Sequence, residues 1–331
     1  GAGGGPGHDG PGHVYRALCR RLFGSEGGPR QDAPPGFEED HSYPDTNVPR
    51  SLLGALFRAG RPRFLVEVGS FKGGSALRIA EAALAARGGE GPLPCLLCVD
   101  TFLGDHSMWL DRRPGWRDGL LLRHGFPQLY GQFMANTRRY GDVILPLPLA
   151  SLSALRGLQH LVLEGAIPQP DFIYLDAAHE KGETLQEMTE AFRLLGPGGV
   201  LLGDDLDWPA VESDLRAFVR AQAEGSFGPG PDDPVLSSLA GASFRPEPGG
   251  GGGGFWALGG CARSAPQWAV RKAPGAGALG QLRAEVHAAE CGDAPAEYVP
   301  TTPEDRSALA LYERGVALLE GGRAAEGAGL V

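Results

Sequence analysis

Five apolar runs dominate the middle of the chain and alternate with amphipathic segments. The runs lie at residues 63–69, 95–100, 143–149, 171–178 and 199–205. Most are continuously apolar, as parallel strands are when both faces of their sheet are covered. Between and after the later runs, segments 182–196 and 208–219 place their apolar residues on one face of a helix. Strands that alternate with helices predict a doubly wound α/β fold.

The first apolar run contains Glu67 and leads into a glycine-rich turn, Gly69-Ser70-Phe71-Lys72-Gly73-Gly74. A dinucleotide site has GxGxxG spacing and an acidic residue about 20 positions further on. Here the glycines follow GxxxGG, and the next acidic strand end, Asp100, comes later. Glu67 would also repel a pyrophosphate at short range. The turn therefore favours a ligand without a diphosphate, and Lys72 within it is predicted to face solvent.

Acidic residues end several of the predicted strands. Asp100 ends the second, Asp176 ends the fourth, and Asp204 and Asp205 end the fifth. Ligands of open α/β sheets bind at the carboxyl ends of the strands, so we expect these side chains to meet Glu67 at one edge. Such an acidic pocket favours a cationic ligand or a metal ion.

S-adenosyl-L-methionine fits this pocket because it carries a sulfonium and an ammonium against a single carboxylate, and it has no phosphate. The helix N-terminus after Gly73 and Gly74 is placed to accept its carboxylate. Asp100 is placed to accept hydrogen bonds from its ribose hydroxyls.

Four ordered motifs then resemble those of class I S-adenosylmethionine-dependent methyltransferases, most closely the small-molecule and sugar O-methyltransferases. The motifs are E-x-G-x-x-x-G-G-S at 67–75, V-D at 99–100, D-A-A-H at 176–179 and P-G-G-V-L-x-G-D-D at 197–205. The resemblance implies a Rossmann-like sheet of seven strands, the last antiparallel, with helices on both faces. The domain would span 46–273, and 255–260 with 266–272 would close its sheet.

The resemblance also implies a set of cofactor contacts. At matching positions of this sequence they are Glu67, Gly69, Ser70, Gly73, Asp100 and Asp176. Ser151, after the third strand, matches the place where the adenine edge is held. It could equally cap the N-terminus of a helix over 152–158.

The chemistry needs an acceptor oxygen that loses its proton. A divalent cation such as Mg²⁺ lowers the pKa of a bound hydroxyl, and it prefers carboxylate ligands. Asp176, Asp204 and Asp205 predict such a site; alternatively, one of them holds the cofactor ammonium and another caps the helix at Pro209. His179, close to Asp176 in sequence, is a candidate general base alongside it or a metal-shell ligand. It could equally be a loop histidine that packs on the next helix.

A long insertion, 103–130, follows the second strand and contains His106, Trp109 and Trp116. It is interpreted as a lid or an acceptor-recognition element, with a plain surface helix as the alternative.

The two ends of the chain differ from the middle. Residues 1–45 are rich in Gly, Pro and charge, which indicates a disordered or leader segment; 13–23 within it is either the end of a transit peptide or a surface helix. Residues 225–254 read as a flexible loop. Residues 274–331 are predicted to hold a linker and C-terminal helices, either plain or the start of a tetratricopeptide-like repeat that binds a protein partner or a second copy.

Composition narrows the remaining classes. The net charge of −10 argues against a nucleic-acid binder, and no apolar run is long enough for a membrane helix. Five scattered cysteines suit a reducing compartment, so the cytoplasm is expected, with organelle import left open. The prediction is a methyltransferase acting on a small-molecule hydroxyl; the alternatives are a nicotinamide-dependent oxidoreductase and a non-catalytic methyltransferase-like binding protein.

Overall fold

The structure is a computed structural model that describes residues 13–29, 36–40, 48–89, 91–223, 256–258 and 267–272. The predictions for the loop 225–254 and for the C-terminal segment 274–331 lie outside these residues. Among the described residues, no helix is both long enough and apolar enough to cross a membrane.

The described strands form one sheet in the order β3-β2-β1-β4-β5-β7-β6. They are β1 (Phe64–Val68), β2 (Cys95–Asp100), β3 (Ile144–Pro148), β4 (Phe172–Leu175), β5 (Val200–Gly203), β6 (Trp256–Leu258) and β7 (Gln267–Arg271). Strands β1 to β5 are parallel, and β7 runs antiparallel to both β5 and β6. The predicted seven-stranded sheet with an antiparallel last strand is confirmed.

Helices cover both faces of the sheet, as predicted. They are α1 (His13–Phe23), α2 (Arg50–Gly60), α3 (Gly74–Arg87), α4 (His106–Trp109), α5 (Leu129–Asn136), α6 (Ser151–Leu163), α7 (Glu183–Leu194) and α8 (Pro209–Ala223), with short 3₁₀ turns at Arg117–Leu120 and Arg138–Tyr140. Helices α1, α6, α7 and α8 pack on one face of the sheet in one buried cluster. Helices α2, α3 and α5 pack on the other face in a second cluster. Because β1 lies between β2 and β4, the strand order reverses there, which is where ligands of such sheets bind.

Residues 13–23, for which a transit-peptide end and a surface helix were the alternatives, form helix α1. Within 1–45, residues 13–23 are helical, and Leu18 and Cys19 are completely buried in the cluster that also holds α6 and α7. The Tyr15 hydroxyl donates to the carbonyl of Gly141 at 2.8 Å. Helix α1 therefore contributes to the buried core of the described structure, because its apolar face packs into that cluster.

Lys272 ties the edge of the sheet to α7. It directly follows β7, and its ammonium donates to the carbonyls of Phe192, Arg193 and Leu195 at 2.8, 3.1 and 2.7 Å. Those carbonyls belong to the last turn of α7 and the residue after it, where helical partners run out. Burial lowers the pKa of Lys272 to about 8.

Candidate active site

A cavity of about 1080 Å³ opens at the carboxyl ends of β1, β2 and β4. The glycine turn and Asp100 form one part of its wall, and the start of α6 and the loop after β4 form another. Part of the insertion, including Gly104 and Met108, also lines it. Of the acidic residues that the sequence singled out, Asp100 and Asp176 line this cavity, whereas Glu67, Asp204 and Asp205 do not.

The glycine turn fits tightly against the end of β4. Gly69 has φ +87°, and a Cβ there would lie 2.0 Å from the carbonyl oxygen of Asp176. Gly73 has φ +90°, and its Cβ would lie 2.7 Å from Cγ2 of Thr137. Residues with a Cβ rarely adopt these backbone angles, and other protein atoms already occupy the space that a Cβ would need. Both positions therefore require glycine, which explains the spacing of the motif.

Asp100 organises the turn from the neighbouring strand. Its Oδ2 accepts the backbone N–H groups of Ser70 and Phe71 at 2.9 and 2.8 Å, and its Oδ1 accepts that of Phe102 at 2.7 Å. Burial raises the pKa of Asp100, although these three donors oppose the shift. The carboxylate lines the cavity. Its predicted contact with ribose hydroxyls stays a prediction.

Glu67 lies beneath the turn and is completely buried. The Ser70 hydroxyl donates to its Oε2 at 2.6 Å, while its Oε1 has no hydrogen-bond partner among the described residues. Burial raises the pKa of Glu67 to about 7, against the hydrogen bonds from Ser70, Ser75 and Cys98. Its first role in the fold is thus to support the turn from below.

Lys72 is buried, and the expectation that it faces solvent is wrong. Its side chain is 8% exposed and lines the cavity. Its ammonium lies 3.9 Å from Oδ2 of Asp40, which belongs to the N-terminal segment 36–40. Sequence spacing could not reveal this, because the residues that cover Lys72 come from remote parts of the chain.

The loops after β4 and β5 bring three potential ligand or proton-transfer groups together. Oxygen and nitrogen atoms of Asp176, His179 and Asp205 all lie within 4.8 Å of one another. His179 Nε2 is 2.7 Å from Asp205 Oδ2 and 4.0 Å from Asp176 Oδ1. The centroid of the imidazole lies 4.9 Å from that of the Trp208 ring, and the two rings are tilted by 39°. Burial opposes a charge on His179, but the hydrogen bond and negative charge of Asp205 outweigh it and raise its pKa.

Asp204 is not part of this cluster, which corrects the predicted triad of Asp176, Asp204 and Asp205. Its Oδ1 accepts Nε2 of Gln267 at 2.7 Å and the N–H of Asp205 at 2.8 Å, and its Oδ2 accepts the Tyr174 hydroxyl at 3.2 Å. Asp204 is buried between β4 and β7, so its side chain is a structural acceptor. His179 occupies the third position instead.

Asp176 sits among other acids. Burial and the neighbouring charges of Asp204, Asp205 and Glu67 raise its pKa well above the usual carboxyl range. The arrangement therefore favours a proton or a cation at Asp176.

The sequence reasoning missed Glu187 on α7. Glu187 lines the cavity, is 4% exposed, and leaves its Oε2 without a hydrogen-bond partner among the described residues. Burial raises its pKa, opposed by the Ser151 hydroxyl and the N–H of Ala178. Ser151 begins α6 behind the N-cap Ala150, so it is not the cap itself; it lines the cavity. The sequence of an amphipathic helix does not show which of its glutamates is buried and which is exposed, so Glu187 could not be singled out from the sequence.

The insertion after β2 forms part of the cavity wall and reaches the loop after β4. Asp105 caps α4 by accepting the N–H of Met108 at 2.8 Å. His106 Nε2 then lies 3.4 Å from Oε1 of Glu180. The expectation that the insertion lies at the site agrees with this geometry, while lid motion and acceptor recognition stay predictions.

Residues 66–206 match the sequence profile of a family described as "Methyltransferase domain". The match runs from β1 to the loop after β5 and covers less than half of the chain, and this segment carries the motifs that resemble those of class I S-adenosylmethionine-dependent methyltransferases.

Two solved structures are similar to the chain at low identity. One is the O-methyltransferase from Bacillus cereus in complex with SAH, with 15% identity, 80% of this chain and 93% of that chain covered, and a TM-score of 0.38. The other is the O-methyltransferase TomG from Streptomyces achromogenes, involved in tomaymycin synthesis, in complex with SAM, with 15% identity, 80% and 91% covered, and a TM-score of 0.37. No curated protein matches the chain in sequence.

Proposed function

We propose that the protein transfers the methyl group of S-adenosylmethionine to a hydroxyl oxygen of a small molecule. The observation that carries this proposal is a single cavity that is lined both by the glycine turn with Asp100 and by the loop holding His179. The turn side offers backbone donors and a carboxylate for an amino acid and a ribose. The other side offers a histidine–carboxylate pair for the acceptor.

The cofactor would lie along the edge between β4 and β2. Gly69, Ser70 and Asp100 line this part of the cavity and would contact the amino-acid and ribose parts, while Gly73 would keep the shape of the turn from behind. Ser151 at the start of α6 would contact the adenine. An acidic wall suits the net positive charge of this cofactor, and it would repel the diphosphate of a nicotinamide dinucleotide.

Transfer is an in-line displacement in which the acceptor oxygen forms a bond to the methyl carbon while the carbon–sulfur bond breaks. S-adenosylhomocysteine leaves, and the hydroxyl proton must go to a base. His179 is suited to that role because its Nε2–H donates to Asp205, which leaves Nδ1 able to accept a proton. Asp205 then stabilises the imidazolium that forms.

As an alternative in which His179 is a ligand rather than the base, the same cluster fits a divalent cation. Asp176, His179 and Asp205 offer two carboxylates and an imidazole within 4.8 Å, and Asp176 is surrounded by negative charge that a cation would relieve. These three residues would hold the ion, with Mg²⁺ or a metal that accepts nitrogen ligands as candidates. When bound, a cation of this kind lowers the pKa of a coordinated hydroxyl.

Calorimetric titration with S-adenosylhomocysteine and with NAD tests the proposal. We expect binding of the first and not of the second. The purified protein is then incubated with methyl-labelled S-adenosylmethionine and a panel of phenols, catechols and sugars, with EDTA in one arm and added Mg²⁺ in another. NAD binding alone would favour the oxidoreductase, and S-adenosylhomocysteine binding without transfer to any acceptor would favour a non-catalytic binding protein. Full activity in EDTA would exclude a required cation.

A further inference from the structure

We propose that Lys72 binds the carboxylate of the amino-acid part of the cofactor, and that segment 36–40 closes this end of the cavity. The inference rests on the proposed function, because it assigns one ligand group within the same site. It names a charge contact that the motif itself does not contain, since the motif specifies glycines and a serine around this position.

The first argument is the burial of a charge. Lys72 is 7% exposed as a residue and lines the cavity wall. Desolvation lowers its pKa, and the negative charge of Asp40 opposes that shift. An ammonium in such a place is expensive unless anions surround it. Asp40 Oδ2 lies 3.9 Å from this ammonium, which is longer than the ~2.8 Å of a close charge-assisted hydrogen bond.

The second argument is the distribution of charge in the cavity. Its described lining contains the carboxylates of Asp40, Asp100, Asp176 and Glu187, among others. The permanent cations of that described lining are Lys72 and Arg156. Arg156 lies on α6, where its guanidinium is largely exposed and is paired with Glu190 on α7 at 3.2 Å.

A ligand that carries one carboxylate and two positive groups is therefore oriented by this pocket. Its carboxylate is attracted to Lys72, and its ammonium and sulfonium are attracted to the acidic wall. Lys72 directly precedes Gly73, the N-cap of α3, and Gly74 and Ser75 in the first turn of that helix line the same cavity. The ammonium and the helix terminus reinforce each other at one place.

The third argument is that neighbouring groups hold Lys72 and Asp40 in position. The side-chain amide of Asn136 donates to the carbonyl of Lys72 at 2.9 Å, and its Oδ1 accepts the N–H of Asp40 at 2.7 Å. Gln132, one turn earlier on α5, donates to the carbonyl of Glu38 at 2.8 Å. One amide thus fixes both the turn and the segment that covers it.

Two ligands that differ only in the amino-acid part make the test specific. S-adenosylhomocysteine carries the carboxylate, and 5′-methylthioadenosine has the same nucleoside and thioether without it. Both are titrated calorimetrically into the wild type and into the Lys72→Met, Lys72→Arg and Arg156→Met variants, and thermal unfolding confirms that each variant is folded. Methionine keeps the apolar length of the buried lysine and removes its charge.

We expect Lys72→Met to weaken the binding of S-adenosylhomocysteine about ten- to hundredfold. The affinity for 5′-methylthioadenosine should stay within about twofold of the wild-type value. Lys72→Arg should retain most of the affinity for S-adenosylhomocysteine. Arg156→Met should change the affinities for the two ligands by the same factor. Equal losses for both ligands in Lys72→Met would mean that Lys72 only maintains the turn, and unchanged affinities would also overturn the assignment. If Arg156→Met weakened the binding of S-adenosylhomocysteine alone, the carboxylate of the ligand would be bound by Arg156 on α6 instead. If the wild type binds neither ligand, the proposed function itself fails.

Discussion

The two sides of the cavity are built in different ways. On the turn side, the essential contacts come from residues 67–75 and from Asp100, and most of them involve the backbone. On the acceptor side, Asp176 and His179 come from one loop, Asp205 from another, and His106 reaches across from the insertion. The turn side thus depends on local backbone geometry, whereas the acceptor side depends on charged side chains that meet only in the folded chain. Changes to the first should cost folding and cofactor binding together, and changes to the second should cost activity alone.

The largest effect should come from Gly69→Ala on the turn side. The added Cβ would lie 2.0 Å from the Asp176 carbonyl at a φ of +87°, so the turn and the end of β4 must separate. We expect a loss of more than about 3 kcal/mol of unfolding free energy, together with loss of S-adenosylhomocysteine binding. Gly88→Ala is the matched control, because it has φ +67° with nothing within 4 Å and should cost only about 1 kcal/mol. Urea denaturation measures both, and similar values for the two variants would contradict the contact.

On the acceptor side, His179→Gln should reduce kcat/KM by about 10²- to 10⁴-fold, as expected for loss of a general base. Affinity for S-adenosylhomocysteine should stay within about twofold, because His179 lies away from the turn. His160→Gln, on an exposed position of α6, is the control and should leave both quantities unchanged. Steady-state kinetics with an identified acceptor, and calorimetry, are the measurements. An equal loss of affinity for S-adenosylhomocysteine would show that His179 contributes to cofactor binding rather than to proton transfer.

Adjacent residues Asp204 and Asp205 should separate stability from activity. Asp204→Ala removes the acceptor of the buried Gln267 amide and the nearer of two acceptors of the Tyr174 hydroxyl, so we expect a loss of about 2–4 kcal/mol of unfolding free energy. Asp205→Ala should cost about 1 kcal/mol, mainly because of its φ of +55°, but it should abolish most of the activity. Chemical denaturation and kinetics on both variants make the test. If Asp204→Ala were stable but inactive, the predicted metal site of Asp176, Asp204 and Asp205 would be supported instead.

Lys272→Met tests the support behind the acceptor side. Three carbonyls at the end of α7 would lose their donor, so we expect a loss of about 1–2 kcal/mol at pH 7 with S-adenosylhomocysteine affinity unchanged.

The pH dependence of Lys272 has a defined sign. Its pKa falls from 10.5 to about 8 on folding, so the unfolded chain binds more protons between those values. The free energy of unfolding of the wild type should therefore rise from pH 8 toward pH 10.5 relative to Lys272→Met. Denaturation curves across this range measure the difference, and a constant difference would refute the shift.

The smallest effect should come from Glu180→Gln, which breaks the pair with His106 between the insertion and the loop after β4. Both side chains are about half exposed, so the change in unfolding free energy should be below about 1 kcal/mol. Glu164→Gln, which breaks another exposed pair, with Arg21, is the control. A large change in kcat for Glu180→Gln, absent in the control, would show that this pair closes the insertion over the acceptor.

Much of this architecture could be predicted from the sequence. Strands β1 to β5 were found because continuous apolar runs are a strong signal for buried parallel strands. The glycine turn was found because its spacing reports φ angles that only glycine adopts easily. Helix α1 was not predicted as part of the core, because a short amphipathic segment in a Gly- and Pro-rich region looks the same whether or not a sheet lies beneath it.

The same limit explains the errors at the site. Asp204 and Asp205 are chemically identical neighbours, and Gln267 on β7 decides which of them turns inward. Lys72 looks solvent-exposed until Asp40 and Asn136 are placed beside it.

By itself, the sequence determined the order of the strands along the chain, the geometry of the glycine turn and the class of ligand that its edge can hold. These follow from local backbone angles, hydrophobic pattern and net charge, which depend on near neighbours. Only the tertiary structure decided that His179 joins Asp176 and Asp205, and that Lys72 is enclosed in the cavity wall. The burial and pKa of a charged side chain depend on groups from remote segments, and those are brought together only when the sheet is complete.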